Sequence, residues 1–157
     1  MFVRLALRED EDAVIEMATA NARETMPGEP IDADVMHERF QEYLDTSFPT
    51  AFVVQDNGRL VGLLVADTGS YDHRTGFFVL QKVLYVSPDK RGTRAAVLLA
   101  NELISYATRM GAVEIVGGND NDFQSERTAR FMERFGFRRV GFMMSKRLDG
   151  QHGPESQ

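Results

Sequence analysis

Apolar residues recur along the chain with two different periods, and each change of period marks a new element. The opening VRLAL reads as a short strand. After it, Val14, Met17, Ala18 and Ala22 return at helical spacing. Asp10 is placed to cap that helix, Glu11 and Asp12 suit the positive end of its dipole, and Met26-Pro27-Gly28 stops it. A second amphipathic helix is predicted from about Ala33 to Thr46, with Met36, Phe40, Tyr43 and Leu44 on one face. The period then shortens. AFVVQ, the turn Asp56-Asn57-Gly58-Arg59 and LVGLLVAD predict a hairpin, because Asn-Gly between apolar runs supplies the left-handed conformations a tight turn needs.

The polar loop TGSYDHRTG leads to a third β-forming run, FFVLQKVLYVS, which Pro88 ends. From about Thr93 to Met110 the period is helical again, with Ala96, Leu99, Ala100, Leu103, Ala107 and Met110 on one face and Gly111 as the stop. AVEIV predicts a short strand, Gly117 to Asp122 a loop, and Glu126 to Phe135 a helix. FRRVGFMMSKRL predicts a closing strand bent at Gly141, with Met143 and Met144 in the core. An antiparallel meander running into a strand–helix–strand unit gives an α/β (α+β) fold, a mixed and mostly antiparallel central sheet with helices on both faces. A single domain is expected over residues 1–148, with a flexible tail over 149–157.

Composition narrows the chemistry. The chain has 157 residues, 43% of them hydrophobic and 27% charged, enough apolar surface for one core. It has no cysteine, which removes disulfides, thiolate nucleophiles and cysteine-based zinc sites and suits a reducing cytoplasm, the expected location. The start carries no apolar stretch long enough for a signal peptide, and the longest apolar run, Ala95 to Ala100, is too short to span a bilayer. The net charge of −6 is unevenly divided. Residues 1–72 hold five Lys and Arg against fifteen Asp and Glu, whereas residues 73–157 hold thirteen against nine. No uniformly basic footprint for nucleic acid is present. No metal site is expected: His37-Glu38 lacks a second histidine, and Asn119-Asp120-Asn121-Asp122 lacks the spacing and glycine of a calcium loop.

The segment that carries chemistry is VLYVSPDKRGTRAAVLLANELISYA. A strand ends at Pro88, and a turn bearing Lys90, Arg91, Gly92, Thr93 and Arg94 opens a helix that begins with Ala95 and Ala96. The first amides of a helix lack internal partners and sit at the positive end of its dipole, while small residues let a ligand approach the backbone. With three cations beside it, this turn is a phosphate cradle; its bland counterpart is a strand-to-helix turn that happens to be basic.

Here the sequence resembles the GNAT superfamily of N-acetyltransferases, whose acyl-CoA loop reads Arg/Gln-x-x-Gly-x-Gly/Ala. Arg91 and Ala96 match that loop, and Arg94 stands where glycine is usual. SERTARFMERFGF resembles the family's last-helix segment Asn-x-x-Ala-x-x-x-Tyr-x-x-x-Gly-Phe: Gly136-Phe137 fit, with Ser125 at the asparagine, Thr128 at the alanine and Met132 at the tyrosine. The order of elements agrees from about Phe2 to Leu148.

The resemblance implies acetyl-CoA as cosubstrate, lying between splayed strands four and five. Its pantetheine arm would pair with the backbone of Leu84, Tyr85 and Val86, and its pyrophosphate would sit on amides from Arg91 to Ala96. Ser125 would touch the arm or, alternatively, cap its helix. Arg94 would add a phosphate contact by extending away from the turn. The reaction would be direct attack of an amine on the thioester, with the oxyanion held by a strand-four amide.

The family's usual helpers are absent. Met132 has no proton to give the leaving thiolate, and FFVLQKVLYV offers only Gln81 and Lys82 where a carboxylate base is common. A lysine-like amine with a pKa of about 10.4 costs about 4 kcal/mol to deprotonate near neutrality, whereas an α-amino group near about 7.8 costs almost nothing. Base candidates are therefore Asp67, Asp72 and His73, with Tyr71 and Tyr106 as candidate acids. The expected partner is a small-molecule or peptide amine, drawn as a cation by the acidic first half; no nucleic acid or membrane is expected, and a homodimer is compatible. The competing expectations are a fold kept for CoA or protein binding without turnover, and a transferase of longer acyl groups.

Overall fold

The computed structural model describes residues 1–119 and 123–150, so Asp120, Asn121 and Asp122 and the tail from residue 151 lie outside the described residues. The chain forms two compact units, one of residues 1–18 and 32–117 and one of residues 19–31 and 118 onward.

The first unit is built on a five-stranded sheet of order β1-β2-β3-β4-β5. The strands are β1 (Phe2–Leu5), β2 (Thr50–Asp56), β3 (Arg59–Ser70), β4 (Phe77–Val86) and β5 (Glu114–Val116). The first four pair antiparallel, and β5 joins β4 in parallel. That change of direction requires a crossover, which α3 (Ala95–Met110) supplies. Asn57 and Gly58 both take positive φ in the turn between β2 and β3, as the hairpin signal demands.

Side chains alternate across the sheet, so register assigns each helix to a face. Gly62 and Val54 are register partners, and a Cβ on Gly62 would lie 3.2 Å from both Val54 and Leu99 of α3. Phe52, on the same face as Val54, meets Tyr106 of α3 at 5.6 Å between ring centres. Hence α3 covers the face of Phe52, Val54, Gly62, Leu64 and Ala66. Val53, Leu63 and Val65 point the other way and are equally buried. Arg4, opposite Val53, carries the chain into α1 (Glu11–Thr25) on that second face, and α2 (Ala33–Asp45) packs against β2.

Asp10 does not cap α1 directly. It ends a 3-10 turn, Arg8–Asp10, ahead of the helix. Its carboxylate accepts two hydrogen bonds from the Arg4 guanidinium, at 2.6 and 3.0 Å, and one from the Leu7 amide at 2.7 Å. The Arg4 cation, six residues earlier on β1, competes for the side chain and wins over the cap because its bonds are bidentate and charge-assisted. The Arg4 hydrogen bonds, with help from Leu7, hold the Asp10 carboxyl below the usual aspartate range. A lowered folded-state value means the stabilisation is present at neutral pH and is lost as pH falls through that value. Asp10→Asn is expected to cost about 1–2 kcal/mol at neutral pH, with the gap to wild type closing in acid below about pH 4. Urea unfolding at both pH values measures this, and a pH-independent gap would refute it.

The second unit contains α4 (Ser125–Glu133), within which Met132 is 7% exposed. Gln124, at φ 50°, occupies the cap position of α4, so Ser125 is the first helical residue and not the cap. The expected closing strand is absent. Among the described residues no ladder includes 137–147, and Val140, Phe142, Met143 and Met144 are 71–97% exposed, so the methionine pair is not core. β-forming side chains establish a strand only when a neighbouring backbone completes the hydrogen bonds. The segment also carries Arg138, Arg139, Lys146 and Arg147 without a single carboxylate. Two of those cations are anchored inside the second unit, Arg139 on Glu126 and Glu133 and Arg147 on Glu29.

Candidate acyl-CoA site

β4 and β5 run together only briefly. Their register pairs are Phe78–Glu114, Val79–Ile115 and Leu80–Val116; β5 then ends while β4 continues to Val86. The parting coincides with a bulge: Val65 pairs with Val83 but Ala66 with Gln81, leaving Lys82 as the extra residue on β4. The outer edge of β4 beyond Leu80 therefore lies outside the β4–β5 ladder.

Alternation determines which backbone groups face that edge. Ser87 donates its amide to the Val61 carbonyl at 2.9 Å, so residues 87, 85 and 83 direct their N–H and C=O groups toward β3. Leu84 and Val86 turn theirs outward. The Tyr85 backbone faces β3, in contrast to the three consecutive pairing residues expected from sequence. Arg91 Nε donates to the outward Val86 carbonyl at 3.0 Å, and its guanidinium lies 5.8 Å from the centre of the buried Tyr85 ring.

After β4 the chain makes a 3-10 turn, Pro88–Lys90, and reaches Gly92 at φ +83°. That left-handed turn favours glycine, and a Cβ there would have no atom within 4 Å. Thr93 Oγ1 donates to the Lys90 carbonyl at 2.5 Å and accepts from the Ala95 amide at 3.3 Å, stitching the loop to the first turn of α3. Arg94 takes the cap position without a capping side-chain bond, so the following amides at Ala96 and Val97 remain directed out of the helix end. Ala95 is buried against the sheet and Ala96 is half-buried, which keeps that end narrow.

The three cations are each held. Lys90 Nζ is 2.8 Å from Asp56, Arg91 bonds Val86, and Arg94 reaches away from the turn to donate to the Met1 carbonyl at 2.8 Å. Arg94 thus leaves the loop uncrowded. The Lys90–Asp56 pair was not legible in the sequence, because Asp56 belongs to the first hairpin, far away along the chain.

The acid–base candidates separate into two places. Tyr71 donates to Glu114 Oε1 at 2.6 Å, with His73 at 5.5 Å and Phe78 at 5.3 Å between ring centres and Arg74 over its ring. Burial first, then the Glu114 bond, raises the Tyr71 phenol above its ordinary value. Asp72 and His73 are exposed in the same loop. Asp67 stands apart on β3, opposite Leu80, half-buried, with Oδ1 accepting from the Thr68 amide at 2.8 Å. Tyr106 is a packing residue: its hydroxyl donates to the Ser47 carbonyl at 2.5 Å, and burial pushes it up to about 12. Ser125 and Met132 belong to the second unit. Among the described residues no set of three His, Asp or Glu side chains is grouped to hold a metal ion, and no helix is long and apolar enough to cross a membrane.

Comparison with known proteins identifies the family and the fold. Uncharacterised N-acetyltransferases of Mycobacterium tuberculosis (strain ATCC 25618 / H37Rv) and Mycobacterium bovis (strain ATCC BAA-935 / AF2122/97) are each 30% identical over 122 residues, covering 78% of this chain and 73% of theirs. Among solved structures, AAC(6')-Iy in complex with the bisubstrate analogue CoA-S-monomethyl-acetylneamine superposes with a TM-score of 0.75 at 16% identity, over 93% of this chain and 96% of that one. Glucosamine-6-phosphate N-acetyltransferase from Arabidopsis thaliana gives 0.76 at 18%, over 94% and 97%. At such identities these two structures establish the shared fold alone. The family model described as the acetyltransferase (GNAT) family matches residues 9–137, most of the chain, and the protein belongs to that family.

Proposed function

We propose that the protein is an acetyl-CoA-dependent N-acetyltransferase that moves an acetyl group to a primary amine by direct attack in a ternary complex. The observation that carries this reading is the parting of β4 from β5 after Leu80, on the same strand that delivers the chain into the Gly92 turn and the first amides of α3. The parted edge suits an amide-bearing pantetheine arm, and the turn suits a pyrophosphate.

In this reading the outward Leu84 amide donates to the thioester carbonyl and stabilises the oxyanion as the amine attacks. The C–N bond forms, the C–S bond breaks, the sulfur leaves as a thiolate and the amine's proton passes to water. Met132 gives no proton, and none is required: a thiol with a pKa of about 8.5 is a tolerable leaving group as its anion. Gly92, Thr93, Ala95 and Ala96 bring backbone to the phosphates, while Arg91 supplies positive charge beside them; Arg94, engaged with the Met1 carbonyl, makes no phosphate contact in this arrangement. The names of the solved relatives, with an aminoglycoside and an amino sugar phosphate as acceptors, support an amine nucleophile of modest size.

Calorimetric titration with acetyl-CoA, CoA and a longer acyl thioester is the direct test. Binding of acetyl-CoA together with thiol release in the presence of a primary amine is the expected result. Binding without turnover across an amine panel would favour the fold kept as a CoA-binding module, and no binding at millimolar ligand would overturn the reading.

A further inference from the structure

Asp67 is a carboxylate for which the first unit provides no counterion. Its register places it on the sheet face of Leu63 and Val65, across from Leu80. Thr68 binds one oxygen, and among the described residues no Lys, Arg or His lies within ion-pair distance of it. What surrounds it on that face is apolar: Val65 is 2% exposed, and Phe78 lies over Gly69, leaving no room there for a Cβ. Leu80 itself is 36% exposed, so this part of the sheet remains open. The charge of Asp67 is felt by phenols on both sides, contributing to the raised values of Tyr43 on α2 and Tyr106 on α3 after burial itself. A half-buried carboxylate with no protein cation, beside an open stretch of sheet, is available to a cationic ligand.

Its distance from the proposed acyl position decides which ligand cation it meets. Leu84, whose outward amide would hold the thioester carbonyl, pairs with Leu64, and Asp67 lies three residues farther along β3. At strand rise this separates them by about 10 Å. That is too far for Asp67 to touch the attacking nitrogen. The same span suits an acceptor whose second ammonium is separated from the first by a short alkyl chain.

Resting on the acetyltransferase reading above, we infer that Asp67 selects dicationic acceptors by binding the ammonium that does not react. The acceptor class is an α,ω-diamine or an amine bearing an equivalent distal cation, with its apolar spacer over Leu80. Asp67 is a specificity-determining residue in this arrangement, and takes no part in proton transfer to or from the thioester.

The test compares acetylation of cadaverine with that of pentylamine, the same chain without its second amine. Wild-type protein is expected to favour cadaverine in kcat/KM by about tenfold or more, the size of a charge-assisted hydrogen bond. Asp67→Asn, which keeps the shape and the Thr68 contact, is expected to remove that preference by raising KM for cadaverine. Asp67→Glu is expected to restore part of it. Equal rates for the two amines in wild type, or an unchanged preference in Asp67→Asn, overturn the inference while acetyl transfer to either amine still upholds the enzyme. Absence of acetyl-CoA binding and of transfer to both amines overturns the two readings together.

Discussion

Gly92→Glu is expected to reduce acetyl-CoA affinity by about a hundredfold or more while the protein remains folded. Two independent effects act in the same direction. At φ +83° a side chain at this position pays the left-handed penalty, about 1–2 kcal/mol, which pulls the turn away from its geometry. The new Cβ meets no protein atom within 4 Å, so the glutamate projects into the open space before α3, where phosphates would sit. An anion there repels the ligand and offers the free helix amides an internal acceptor in its place. Gly92→Ala isolates the first effect and is expected to weaken binding far less. Calorimetry on all three proteins, with thermal unfolding as the folding control, separates the contributions; wild-type affinity in Gly92→Glu would remove the Gly92 turn from the site.

The parts of this fold that were legible in the sequence are those determined by neighbours along the chain. Asn57-Gly58 specifies the hairpin, and Gly111, at φ 78°, terminates α3 where the helical period stops. The Gly92 turn was legible for the same reason: its glycine, cations and small helix residues are contiguous. Features set by distant partners were not. Lys90 looks like a free cation until the hairpin brings up Asp56, and even Arg4, six residues before Asp10, takes that carboxylate from its cap only once the chain turns back from β1. The β4 bulge at Lys82 depends on the register with β3, so the alternation that turns Tyr85 inward and Leu84 outward could not be counted from the strand sequence alone. FRRVGFMMSKRL failed for the complementary reason, since its composition favours a strand that no partner in the sheet completes.

Phe40→Ala is expected to cost about 3–5 kcal/mol. Phe40 is 0% exposed and is the single buried side chain of α2, a helix of 13 residues. A helix of that length is marginal alone, so α2 owes its place to what it buries. The Asp32 carboxylate caps it through the amides of Asp34 and Val35, at 3.0 and 3.3 Å, but a cap contributes only about 1 kcal/mol. Removing the ring leaves a cavity where α2 packs on β2. With about 5–15 kcal/mol of total stability typical of a domain, the loss should lower the thermal midpoint by about 10 °C or more. Phe40→Leu should recover most of it, because it refills much of the volume. The acetyl-CoA affinity of the folded fraction should be unchanged, since the proposed cradle draws on β4 and α3 and not on α2. A midpoint lowered by only a degree or two would mean that α2 is held by its rim and not by Phe40, and the side of the sheet that presents Asp67 would then need a different anchor.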